Sequence, residues 1–184
     1  MRPLVAAPAT VAGFAPYGWL IDAALGDTPP NRGTGPTGGT GPGRPVNGGT
    51  SRRVDGLTGL DLTAGGGAPC LAVFQARAQA PAGPWRVLER HRLGTQTFLP
   101  LRGVRMLVLV ALGDAAPDEA TLKAFLVGGG QGITLRAGVW HHGLIALDAG
   151  DFVVLERAAP ETDCEFATLV RAVAVTLGAA PAAG

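Results

Sequence analysis

This chain of 184 residues is short of most things that announce a function by composition. Aromatic residues make up 5% and charged residues 16%, and the formal net charge is +1. No basic face for nucleic acid and no acidic tail can be built from so balanced a set. No uninterrupted apolar run approaches the roughly 18 residues a membrane span needs. The longest candidate, Leu107 to Leu112, is the length of a buried strand. The N-terminal stretch, MRPLVAAPATVAGF, has no long apolar core behind a basic start and reads as mature protein. The two cysteines, Cys70 and Cys164, are too few for a disulfide framework and read as free thiols of a reducing, cytoplasmic setting. There are only three histidines, and all lie within the second half of the chain or at its edge: His91, His141 and His142.

What is plentiful is glycine (29) and proline (15), against 47% hydrophobic residues. That combination punctuates many short strands and predicts an all-β fold with a real core. One domain over 1–184 is expected. Between about 26 and 49 the composition shifts to Gly, Pro and Thr, which predicts a flexible loop. No Gly-Lys-Ser/Thr follows those glycines, so the loop is not a phosphate cradle. Strands are expected over Cys70–Arg77, Trp85–Glu89, Thr95–Pro100, Arg105–Ala111, Leu144–Leu147 and Phe152–Glu156. A short helix is expected over Asp118–Phe125, with Asp118 and Glu119 favourable at its start. Glu165–Leu177 suits either a strand or a helix used in packing or dimerisation, and Ala179–Gly184 is expected to fray.

The chemistry concentrates in GPWRVLERHRLGTQTFLPLRG, Gly83 to Gly103. On a strand, Glu89 and His91 share one face and Arg90 the other. An inward Glu and His are costly unless paired, hydrogen-bonded or bound to a metal. The spacing Gly83, five residues, Glu89-x-His91, four residues, Gln96, six residues, Gly103 resembles the first motif of the cupin barrels. Glu89 stands where that motif has its first His, and Gln96 where it has Glu. Gly130, five residues, Arg136-x-Gly138, two residues, His141 resembles the second motif. Arg136 replaces the usual Pro, and Ile145 the usual terminal Asn. Together they imply a cupin-type double-stranded β-helix, a jelly-roll barrel with a few short helices.

ERHRLGTQTFLPL (Glu89–Leu101), LKAFLVGGGQGITLRAGVWHHGLIAL (Leu122–Leu147), DFVVLER (Asp151–Arg157) and Asp163-Cys164-Glu165 narrow the resemblance to the ureidoglycolate lyase family, as does Phe14-Ala15-Pro16-Tyr17-Gly18 near the start. The resemblance implies release of urea and glyoxylate from ureidoglycolate in allantoin and purine breakdown. It implies a cytoplasmic homodimer, with no nucleic acid or membrane partner. It also implies a divalent metal, with nickel suggested and zinc or manganese compatible. Glu89, His91, Gln96 and His141 are the expected metal set, and His91, His141 and Glu89 the expected catalytic groups. Asn47, Arg53 and Asp55 carry over as substrate-binding positions, Arg53 as a bidentate grip on the carboxylate. Here Val54-Asp55-Gly56 stands where the family often reads aromatic-His-Asp, and Gly143 where it has Pro. Trp140 and His142 are candidate substrate contacts beside His141, with core packing the alternative for Trp140. The rival readings are a non-catalytic cupin that binds a small acid, favoured by the changes at Asp55 and Gly56, and a metal cupin acting on another hydroxy- or keto-acid.

Overall fold

The computed structural model describes residues 1–22, 43–161 and 163–178. Its central strand is β8 (Met106–Ala111), in which every residue is buried. Alternation explains why. Met106, Val108 and Val110 face one hydrophobic core, while Leu107, Leu109 and Ala111 face another. A strand with apolar residues at every position satisfies both faces only if both are covered. At roughly 1.5–3 kcal/mol per large side chain, that burial is a principal stabilising term.

The remaining strands are β1 (Arg2–Pro8), β2 (Gly18–Asp22), β3 (Arg44–Val46), β4 (Ser51–Arg53), β5 (Ala68–Ala76), β6 (Trp85–His91), β7 (Gln96–Pro100), β9 (Lys123–Val127), β10 (Gln131–Leu135), β11 (Trp140–His141), β12 (Ile145–Ala146), β13 (Gly150–Ala158) and β14 (Cys164–Leu177). One short helix, α1 (Val11–Phe14), precedes β2, capped by the Thr10 hydroxyl accepting from the Gly13 N–H. Seven strands form one sheet in the order β11-β6-β14-β1-β9-β8-β12. Because β11 also pairs with β8, six of them close into a ring. The ring encloses the core of Trp85, Leu88, Leu109, Trp140, Leu169 and Val173. A five-stranded sheet, β2-β10-β7-β13-β5, packs over β8 and β9 and shares the other core with them. The fold is all-β and cupin-like, as the composition and motif spacing predict.

Gly18 is needed where β2 crosses β10, since a Cβ there would lie 1.9 Å from the Thr134 carbonyl oxygen.

One expectation changes and two become definite. The helix expected over Asp118–Phe125 is a single 3-10 turn, Glu119–Thr121, followed directly by β9. Asp118 does cap it, accepting from the Ala120 N–H, but pairing of Lys123–Val127 with β8 overrides local propensity. The C-terminal segment resolves to a strand, β14, paired with β6 and β1. The N-terminal residues, read only as mature chain, form β1, which runs parallel to both β14 and β9.

Most of the Gly/Pro stretch at about 26–49 lies outside the described residues, as do Ala179–Gly184. Its described end is the start of a hairpin, β3 and β4 joined by a turn over Asn47–Gly49.

Candidate metal and active site

Glu89 and His91 project from the same face of β6, and β11 runs antiparallel beside it with His141 opposite Glu89. Residues in register across a ladder send their side chains to the same face. This brings His141 Nε2 to 3.6 Å from Glu89 Oε1. The His91 and His141 rings lie 5.6 Å apart. One ligand atom from each of Glu89, His91 and His141 falls within 4.8 Å of the others, so the three form a group able to hold a metal ion. Gln96, the first residue of β7, enters from the other sheet with Oε1 3.1 Å from His141 Nε2. The four polar positions singled out in the sequence thus converge between the two sheets.

Hydrogen bonding around His141 determines what this cavity can accept. Its ring is 2% exposed, and burial, with His91 and His142 nearby, pulls its pKa down to about 4. The imidazole is therefore neutral at pH 7. Nδ1 lies 3.0 Å from the Val139 carbonyl, which can only accept, so Nδ1 carries the proton. Nε2 is left with a bare lone pair. It faces Gln96 Oε1, whose orientation is set at its other end: Gln96 Nε2 donates to Glu156 Oε2 at 2.8 Å. Glu89 Oε1 is the third acceptor in this group. Acceptors directed at one another repel unless a cation lies among them. Nε2 of His91 is likewise buried without a hydrogen-bond partner among the described residues. The donor set and this orphaned nitrogen both fit a divalent metal.

A further layer holds these groups. Asp163 Oδ1 lies 3.8 Å from His91 Nδ1 and 3.8 Å from Arg157 Nη1, while Oδ2 accepts from the Leu93 N–H. Arg157 is anchored by donating to the Ala64 carbonyl at 2.6 Å. Cys164, opposite His91 on β14, places Sγ 3.8 Å from Glu89 Oε2. Burial, then the Glu89, Asp163 and Glu156 carboxylates, push its thiol up to about 11, so it stays protonated. Glu156 and Asp163 have no role in the sequence reading. Glu156 had a readable signal: alternation along β13 puts it on the inward face with the buried Phe152 and Val154. An inward carboxylate calls for a partner.

The other expected substrate residues lie elsewhere. Arg53 and Asp55 pair with each other, Nε to Oδ1 at 2.6 Å, and Arg44 lies 3.8 Å from the same carboxylate. Asn47 is exposed in the hairpin turn with a left-handed φ of 52°. The described side-chain contacts of Arg53 and Asp55 are thus within their own hairpin. Trp140 occupies the opposite face of β11, inside the ring core, with the Arg90 guanidinium 4.4 Å from its ring centroid. His142 packs edge-on against Trp85, with centroids 4.8 Å apart, and Nδ1 donates to the Gly143 carbonyl. Neither is brought to the Glu89 cluster. Alternation settles Trp140, which adjoins His141 on β11; His142 lies beyond the end of that strand and lines a small cavity with Phe98, Val108, Ile133 and Leu135.

A family model described as Ureidoglycolate lyase matches residues 1–176 of this chain. A ureidoglycolate lyase of Burkholderia cepacia is 43% identical over 124 residues, 66% of this chain and 69% of that protein. One of Azotobacter vinelandii is 34% identical over 166 residues, 90% of this chain and 91% of that protein. A third, of Stutzerimonas stutzeri, is 34% identical over 167 residues, 90% and 89% of the two chains.

Proposed function

The chain belongs to the ureidoglycolate lyase family, and from that membership we propose that it is a carbon–nitrogen lyase releasing glyoxylate and urea from ureidoglycolate at the Glu89–His91–Gln96–His141 cavity. The observation that supports this placement is the set of acceptor atoms directed at one another around His141 Nε2. Glu89, His91 and His141 would hold a divalent metal there, with Gln96 Oε1 beside them. Nickel is our preferred ion, and zinc and manganese suit the same nitrogen and oxygen donors. When bound, the metal would act as a Lewis acid that lowers the pKa of the substrate hydroxyl and offsets negative charge. The charge balance of the cavity supports this reading. The Glu89 carboxylate faces the cavity and the Glu156 carboxylate lies behind Gln96, so an anionic substrate there calls for a compensating cation.

Ureidoglycolate carries its hydroxyl and its ureido nitrogen on one carbon. Cleavage removes the hydroxyl proton, forms the C=O bond, breaks the C–N bond and places a proton on the departing nitrogen. Glu89 suits the transfer. Oε1 is turned toward His141, while Oε2 lies against the protonated Cys164 thiol and keeps a lone pair for the incoming proton. Because donor and acceptor share one carbon, a single carboxylate can take the proton and return it to nitrogen. The Val139 carbonyl holds His141 in orientation, and the Asp163 carboxylate lies 3.8 Å from His91 Nδ1.

Among the described residues no helix is long and apolar enough to cross a membrane. We further read the chain as one cupin-like unit over 1–184 acting in the cytoplasm as a homodimer. Favouring this are the cysteines Cys70 and Cys164, neither of them in a disulfide, and the exposed apolar side chains of Val87, Phe166 and Val170.

The test is to incubate purified protein with ureidoglycolate, with Ni²⁺ and after chelation, and assay both products. Equimolar glyoxylate and urea are expected. Absence of both with Ni²⁺ present would end the lyase reading.

A further inference from the structure

Glu156 lies behind the cavity. Its Oε2 is 2.8 Å from Gln96 Nε2, on the side of the amide away from His141. An ionised carboxylate only accepts hydrogen bonds, so it can be satisfied only by the NH₂ end of Gln96. The carbonyl end is thereby turned toward His141 Nε2, at 3.1 Å. Without that constraint, the amide would be better satisfied the other way round. Rotated by half a turn, its NH₂ would donate to the bare lone pair of Nε2, and the mutual repulsion of acceptors would vanish. Glu156 thus holds Gln96 in the orientation that the free protein, left to itself, would not choose.

Resting on the metal-site reading above, we propose that Glu156 is a positioning residue that locks the Gln96 amide with its oxygen inward, making the cavity a cation site instead of a self-satisfied hydrogen-bond pair. Its reach is indirect. It comes from β13, touches Gln96 and sets which atom of Gln96 the cavity presents. Outer partners of this kind typically change metal affinity by about 10–100-fold when mutated.

The discriminating experiment is an orientation swap in the full chain. Glu156→Gln replaces an acceptor with a group that both donates and accepts, which frees Gln96 to rotate. Ni²⁺ affinity, measured by titration calorimetry on chelated protein, is expected to fall about 10–100-fold. In the metal-free variant, the ¹⁵N resonance of His141 Nε2 is expected to move upfield, as accepting a hydrogen bond requires. Adding Gln96→Glu to Glu156→Gln exchanges the two groups and conserves charge. The carboxylate introduced on β7 accepts from the amide introduced on β13 and always turns an oxygen inward, so Ni²⁺ affinity returns. If Glu156→Gln does not fold, the charge-conserving double variant carries the test by retaining Ni²⁺ binding. Unchanged Ni²⁺ affinity together with an unchanged His141 resonance in Glu156→Gln would overturn the role, as would failure of the folded double variant to bind Ni²⁺. Should the wild-type protein bind no Ni²⁺ while the His141 resonance still moves in Glu156→Gln, the positioning role stands and the metal reading fails.

Discussion

His141 and Glu89, distant in the chain, are direct cross-strand partners, with Nε2 3.6 Å from Oε1. The contact exists because β11 bridges β6 and β8 and closes the ring. It places a neutral imidazole beside a carboxylate with no proton between them, next to a buried His91 nitrogen that has no partner among the described residues.

Replacing His91 with Ala removes one of the three grouped ligands, beside the Asp163 carboxylate. The kcat for glyoxylate release is expected to fall about 100- to 10,000-fold. Circular dichroism is expected to match wild type, since His91 lies at the end of β6 and not in either core.

A ligand that binds only the native state raises its stability, by about 2.7 kcal/mol at one hundred times its Kd. Adding Ni²⁺ to chelated protein is therefore expected to raise Tm. His141→Ala is expected to abolish that rise, which thermal melts with and without the ion will show. A Tm indifferent to Ni²⁺ in the wild type would count against the metal site.

The folded pKa of His141 is depressed, from 6.5 to about 4. An unfolded chain therefore binds a proton between these values that the native state refuses, and stability rises with pH there. The contribution is fully present above pH 6.5 and is lost as pH falls toward 4. It amounts to about 3 kcal/mol for so deeply buried a group. Denaturant melts of metal-free protein at pH 7 and pH 4.5 are expected to show this loss, and His141→Gln to reduce it.

Arg90 is 4% exposed, bonded to Glu165 and to the Asp114 carbonyl, and stacked over Trp140. Arg90→Ala strips a cation from the ring core and leaves the Trp140 ring without its cover. A loss of about 1–3 kcal/mol in unfolding free energy is expected, from the cation–π contact and the bond to the Asp114 carbonyl. The KM for ureidoglycolate, measured below the new Tm, is expected to stay unchanged, because Arg90 faces away from the cavity.

The Cys164 thiol is held up at about 11. At pH 8 its thiolate population is roughly a hundredth or less of that of an ordinary cysteine. Alkylation followed by mass spectrometry is expected to leave Cys164 largely unmodified in the native protein and to label it on unfolding.

The all-β class was readable because glycine, proline and short apolar runs record local demands on the backbone. The facing of Glu89 and His91 followed from alternation alone, and the motif spacing placed His141 and Gln96 in the same cavity. Other features depended on partners far away in the chain. Lys123–Val127 became a strand because β8 was there to pair with it, against a capped helical start at Asp118. The role of Glu156 lies in a hydrogen bond to Gln96 on another strand, and Asp163 bonds to the Leu93 N–H, 70 residues earlier; neither pairing is encoded by a local pattern. Periodicity and composition thus determined which faces are apolar and which residues turn inward, because those properties belong to a strand by itself. Which inward groups meet, and which atom each presents, was decided only when the ring closed, because hydrogen-bond direction is a property of pairs.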